Sequence, residues 1–258
     1  MARRALSIAG ERVPLAVAYG GGGLFGIAYV LGVAEALVDG GVSLATAPAI
    51  GTSAGAWAAA GVALGVRWSN AIDVLKDGIP RVPDPRPGRL REVATTLFGE
   101  SRAPTIRVVV CRLPLLRRYV LSAADHPVAK LVAASAAVPG LLAPERIGTY
   151  RYVDGGVRSF TSCDLASPAD HLLVVAPMAG PMFGPSGSMV ESMLRREMGT
   201  WSRANSGAEV WLIRPNHAIS TLARRPDQLF DTDRARRCYD LAYVQGEGIL
   251  DRWAARSA

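Results

Sequence analysis

Lysine is almost missing from this 258-residue chain: Lys76 and Lys130 are the only two, so nearly all of the 29 basic residues are arginine. The arginines fall in scattered pairs such as Arg117-Arg118, Arg195-Arg196 and Arg224-Arg225, not in one tract. That spread reads first as a plain solvated surface with no massed nucleic-acid tract, while the excess over 22 acidic residues, +7 in all, could draw the chain toward an anionic surface, lipid or nucleic acid. Cysteine and histidine are equally scarce, at three each. Cys111, Cys163 and Cys238 form no CxxC pair, and His126, His171 and His217 are dispersed. Neither a disulfide framework nor a metal site is expected, and a reducing cytoplasm is the expected location. With 50% apolar and 20% charged residues, the composition is that of a globular protein with a large core, and the length suits one α/β domain.

Charge is also absent from Pro14 to Ala34, which contains Gly20 to Gly23 in a row. After Arg3, Arg4 and Arg12 this run resembles a membrane anchor or signal. Four adjacent glycines at its centre, each costing roughly 1 kcal/mol against alanine in a helix, argue against that. A strand over Leu15–Tyr19, a glycine loop and a helix over Gly26–Asp39 fit better. Further strands are expected at Ala47–Ile50, Thr105–Arg112, Arg118–Leu121, His171–Ala176 and Glu209–Arg214. Helices are expected at Ala54–Leu64, Pro127–Ala137, Met189–Ser202 and Asp231–Arg256, with a proline-rich loop over Gly78–Arg89. Strands alternating with helices predict a mainly parallel sheet covered by helices.

The second strand runs into Gly51-Thr52-Ser53-Ala54-Gly55, a G-x-S-x-G turn entering a small-residue helix. Such a turn lifts the Ser53 hydroxyl above the sheet, beside the free N–H groups of a helix start. Gly21, Gly23 and Gly26 satisfy G-x-G-x-x-G, but no carboxylate ends the next strand, so a dinucleotide site is not supported. A P-loop is excluded for want of Gly-Lys-Ser/Thr. The loop reads instead as backbone amides gathered around an oxyanion. Two bases are open to Ser53: one of the histidines in a triad with an aspartate, or Asp154, held in a tight turn by Gly155 and Gly156. Leu24, Phe25 and Trp57 flank these motifs as candidate acyl-pocket residues. Met182 and Phe183, between Met178 and Met189, are candidates for an interfacial flap.

In order, the chain carries a glycine loop (Gly21, Gly22, Gly23, Gly26), Gly51-Thr52-Ser53-Ala54-Gly55, Ala134-Ser135-Ala136-Ala137-Val138-Pro139 and Asp154-Gly155-Gly156. This set resembles the patatin-like phospholipase family over Leu15 to Ala176. The resemblance implies a three-layer α/β/α sandwich and a serine acyl hydrolase acting on lipid esters, of phospholipase A, lysophospholipase or esterase type. It implies Ser53 as nucleophile, Asp154 as general base, and Gly21, Gly22 and Gly23 as the oxyanion hole, with no metal or organic cofactor. Ser135 and Pro139 match the family's Ala-Ser-x-x-x-Pro segment and are read as shaping the site. One acyl hydrolase domain is expected over residues 1–258, with its motifs in about 13–177 and a helical completion over about 186–258. Two positions depart from the family. Phe25 stands where a basic residue is common, which would weaken electrostatic help at the oxyanion, and SFTSCD (159–164) replaces an Asn-x-Pro stretch. An inactive lipid-binding protein of the same fold and a Ser-His-Asp esterase are the alternatives.

Overall fold

The uncharged run near the N-terminus resolves into a strand, a tight loop and a helix in the computed structural model, which describes residues 11–80, 82–180 and 185–257. In chain order the elements begin β1 (Val13–Tyr19), α1 (Gly23–Asp39), β2 (Ala49–Thr52), α2 (Ala54–Leu64), α3 (Trp68–Gly78) and α4 (Arg89–Phe98). Next come β3 (Ile106–Arg112), β4 (Arg117–Ser122), α5 (Val128–Ser135), β5 (Glu145–Ile147) and β6 (Tyr150–Asp154). The chain continues through β7 (Ala169–Val175), α6 (Pro185–Ala204), β8 (Glu209–Ile213), α7 (His217–Ser220) and α8 (Thr232–Ser257).

The eight strands among the described residues form one sheet, with β3, β2, β1, β7 and β8 adjacent in that order and mutually parallel. Residues Ala16 to Tyr19 of β1 are fully buried because β1 is central and covered on both faces. A doubly covered parallel strand needs a continuous apolar run, not an alternating one. On one face Val17, Tyr19, Leu173 and Val175 meet residues of α1, α2 and α8, including Leu31, Trp57 and Cys238. On the other, Ala16, Ala18, Leu172 and Val174 meet Leu194 and Trp201 of α6. The result is the three-layer α/β/α arrangement with a mostly parallel sheet. Among the described residues no helix is long and apolar enough to cross a membrane.

The helix layer is tied together through one buried carboxylate. Glu35 of α1 accepts hydrogen bonds from the Trp68 amide at the start of α3 (2.7 Å), from Arg67 Nε (3.0 Å) and from the Tyr239 hydroxyl of α8 (2.9 Å). Burying a carboxylate is tolerable only when it is satisfied in this way.

The register around β3 places the site. β4 lies along one edge of β3 from Arg107 to Arg112. The other edge is shared. β2 runs parallel to it up to Thr52, opposite Val109, and β6 comes antiparallel from the far end and stops with Asp154 opposite Val110. β2 and β6 therefore meet end to end, so Ser53 leaves one strand where Asp154 closes the other.

Two expectations need extension. The segment between Gly65 and Gly99, assigned no helix, holds α3 and α4 on either side of the expected proline-rich loop. In α3 the buried residues Trp68, Ala71, Ile72 and Leu75 keep the i, i+3, i+4, i+7 spacing of an amphipathic helix. The segment between Pro139 and Asp154, given no element above, holds the β5–β6 hairpin. Met182 and Phe183, and the basic residues Arg3 and Arg4, lie outside the described residues.

Candidate active site

Ser53 sits on the turn between β2 and α2 with φ 53° and ψ −122°, a conformation non-glycine residues rarely hold. The surroundings enforce it. A Cβ on Gly55 would lie 2.0 Å from the Tyr19 carbonyl oxygen, so only glycine lets the turn press this closely on β1. The Ser53 hydroxyl donates to Asp154 Oδ2 at 2.7 Å. The other carboxylate oxygen, Oδ1, accepts the Gly156 amide at 2.6 Å, which fixes the plane of the carboxyl group.

Asp154 is almost wholly buried, and burial pushes its carboxyl up to about 6, against the opposing pull of the Ser53 hydroxyl and the Gly156 amide. A carboxylate poised there is basic enough to accept a proton near neutrality. The three histidines stand elsewhere. His171 is on β7 opposite Leu15, four residues short of the strand ends, and its Nδ1 lies 3.7 Å from Glu209 Oε2. His217 opens α7, and His126 precedes α5.

Ser135, at the end of α5, does something the sequence did not disclose. Its hydroxyl oxygen accepts the Ser53 amide at 2.8 Å while its proton goes to the Val109 carbonyl at 2.7 Å. It thus locks the turn bearing Ser53 to β3. Ser135→Ala leaves a buried amide and a buried carbonyl without partners. It is expected to cost about 2 kcal/mol of stability, measured as a lower denaturation midpoint. Pro139 follows Val138, which forms part of the cleft wall described below.

In the glycine loop the three amides part company. The Gly21 amide donates to the Phe160 carbonyl at 2.7 Å, so it is committed within the fold. Gly22 and Gly23 have φ of 155° and 63° and open α1, whose first bond, Gly26 N–H to Gly22 O, leaves the amides of the preceding residues at a bare helix start. Gly26 faces Ala54 so closely that a Cβ would stand 3.1 Å from that methyl. The SFTSCD stretch supports this loop. Phe160 O holds Gly21, Thr161 O accepts the Thr52 hydroxyl at 3.4 Å, and Ser159 Oγ accepts the amides of Thr161 and Ser162. The signal for this was a run of short hydroxylated side chains just after Asp-Gly-Gly.

Beside Ser53 opens a cavity of about 60 Å³ with apolar walls from Gly23, Ile27, Trp57, Ile79, Leu90, Val138, Leu142 and Phe230. Of the three flanking residues named from sequence, Trp57 lines it, while Leu24 and Phe25 are buried in the core instead. The Phe25 ring, with no exposed surface, belongs to the packing under α8, and the Phe25 carbonyl accepts the Cys238 thiol at 3.8 Å.

A parallel-sheet α/β protein with a serine–carboxylate pair at its strand ends and an apolar cleft beside it is the class the geometry defines. The patatin family model, described as patatin-like phospholipase, matches residues 101–167. Over that quarter of the chain, which holds Ser135, Pro139, Asp154, Gly155 and Gly156, the sequence is patatin-like; Ser53 and the glycine loop precede it. A solved structure, VipD from Legionella pneumophila, aligns with 94% of this chain and 67% of its own at 15% identity and a TM-score of 0.45. No curated protein matches the chain.

Proposed function

We propose that this chain is a serine acyl hydrolase of lipid esters working through Ser53 and Asp154. The observation that carries the reading is the 2.7 Å hydrogen bond from a strained, turn-borne serine to a buried carboxylate of raised basicity, at the wall of an apolar cleft. Asp154 takes the proton of Ser53 as Oγ bonds to the ester carbonyl carbon, and the carbonyl oxygen gains the negative charge. The amides of Gly22 and Gly23, at the positive end of α1, hold that charge. The C–O bond to the alcohol breaks, and the leaving oxygen takes the proton from Asp154. Water then repeats the sequence on the acyl-serine: Asp154 accepts its proton, hydroxide adds to the carbonyl, and the fatty acid departs as Ser53 recovers its hydrogen.

The site needs no metal or organic cofactor for this. Gly21 contributes by keeping the loop in place, because its own amide is spent on Phe160. We assign the whole chain to one acyl hydrolase domain, with α6, β8, α7 and α8 completing it after the motifs end. Its three buried, free cysteines suit the reducing cytoplasm, where we place it.

A fluorophosphonate probe tests the reading, since it phosphonylates an activated serine and spares an inert one. Wild-type chain is expected to be labelled, with the adduct on Ser53, and Ser53→Ala to be blank. Wild type that stays unlabelled would sink the hydrolase and leave a lipid-binding protein of the same fold. Once labelled, a chain-length series of esters and phospholipids identifies the substrate.

A further inference from the structure

We propose that the rim formed by the β3–β4 turn, the β5–β6 turn and the loop after Asp154 docks on an anionic lipid bilayer. The proposal rests on the hydrolase reading for its purpose, delivery of ester from membrane to Ser53, but the contact itself requires no turnover.

Charge is the first observation. Arg112 stands directly opposite Arg117 in the β3–β4 pair, and Arg146 directly opposite Arg151 in the β5–β6 pair. Like charges facing one another across strands destabilise a sheet. Among the described residues none of these four arginines, nor Arg158, is paired with a carboxylate, whereas Arg118 next door is held by Asp164 at 2.6 Å. The rim is also tied into one unit. Arg158 Nε donates to the Leu116 carbonyl (3.0 Å), and the Leu113 amide donates to the Arg151 carbonyl (3.0 Å). Arg112 lies over the rings of Tyr119 and Tyr150, at 4.0 and 4.4 Å from their centroids. An external layer of anions relieves this repulsion, and lipid phosphates supply one.

Apolar exposure is the second observation. Of the eight large apolar side chains exposed among the described residues, three sit on this rim, Leu115 in the β3–β4 turn, Tyr150 at the start of β6 and Val157 after Asp154, while Val82 precedes α4 and Met189 is on α6. Val38 ends α1 at the opposite end of the sheet, and Leu241 and Val244 lie along α8. Exposed apolar tips among unpaired arginines fit a bilayer interface better than a nucleic acid, because Leu115 and Val157 have nothing to stack on a base yet can enter the acyl boundary while the guanidinium groups stay at the phosphates. Val157 is three residues from Asp154, so the contact abuts the catalytic pair.

Co-sedimentation of the full chain carrying Ser53→Ala with vesicles measures docking apart from hydrolysis. Partition onto vesicles of equal phosphatidylcholine and phosphatidylglycerol is expected to exceed that onto phosphatidylcholine alone and to weaken with salt. Adding Arg117→Gln with Arg151→Gln, both exposed, is expected to reduce partition about 30-fold at roughly one-fifth of the affinity per arginine. An unaltered melting temperature verifies the fold. Arg102→Gln with Arg203→Gln, the same loss of charge at the other end of the sheet, is expected to leave partition near its starting value. Equal partition onto both vesicle types, equal loss with both pairs, or tighter binding to single-stranded RNA than to the anionic vesicles each overturns the proposal. Docking without probe labelling of wild type would fault the hydrolase reading and leave the docking surface standing.

Discussion

Ser53→Ala is expected to lower turnover of a lipid ester about 10⁶-fold while leaving the fold intact, because the methyl keeps the space of Cβ and removes only the attacking oxygen. The measurement is kcat on a soluble ester, with the folded state verified by circular dichroism. Adding Asp154→Asn to Ser53→Ala should cost little more, since two groups that act in one proton transfer do not contribute additively. A double variant markedly slower than Ser53→Ala alone would mean that Asp154 assists a residual reaction without Ser53, and the dyad as drawn would be wrong.

Asp154→Asn alone is expected to lower kcat about 10⁴-fold or more, with an amide in place of the proton acceptor. Wild-type kcat/KM should rise about tenfold per pH unit below about 6, the pH at which the buried carboxyl gives up its proton, and level off above it. A variant that kept full turnover and the same limb would transfer the base role to a histidine.

The same substitution should move stability in the opposite direction. The folded carboxyl, at about 6, lies above its ordinary 3.8, so the folded state holds the proton more tightly than the unfolded chain does. That advantage is complete below about pH 3.8 and is lost as pH rises through 6, where a carboxylate must be buried. At pH 8 wild type therefore carries a penalty of about 3 kcal/mol, which asparagine does not carry. Asp154→Asn should melt higher than wild type at pH 8, with the gain vanishing near pH 4. A gain independent of pH would point to a packing effect and not to the buried charge.

Much of the architecture is legible from the sequence because the parallel strands are buried on both faces and so appear as unbroken apolar runs. The helix over Ala54–Leu64 agrees to the residue, and most other ends shift by one to three positions. α1 begins at Gly23, not Gly26, since glycines without Cβ can form the first turn of a helix that propensity alone would not start there. α3 escaped because its four-residue-wide apolar face sits between glycine- and proline-rich segments that read as loop. Within the site, Ser53 and Asp154 stood out by the turn chemistry around them. Their mutual distance could not be read, because 101 residues separate them in the chain and only the β3 register brings them together. The part played by Ser135 was hidden for a related reason: a hydroxyl that bonds backbone on two other elements leaves no periodic trace in its own segment. Phe25, which by resemblance marked a lost cation, turns out to serve the core.

That shared register has a consequence for how such a chain tolerates insertion and deletion. The pairs Val110 with Asp154, Cys111 with Val153 and Arg112 with Tyr152 act as a ruler that sets the serine–carboxylate gap. The tips of the β3–β4 and β5–β6 hairpins lie off that scale and are free to lengthen or shorten, whereas α5 between them is fixed by Ser135, which bonds the Ser53 turn to β3. One residue gained inside β6 is different, because it turns the carboxylate to the opposite face of the sheet. Variation in length should therefore accumulate in the hairpin tips, the segments proposed to dock on a bilayer, while three ladder rungs keep the serine–carboxylate spacing constant.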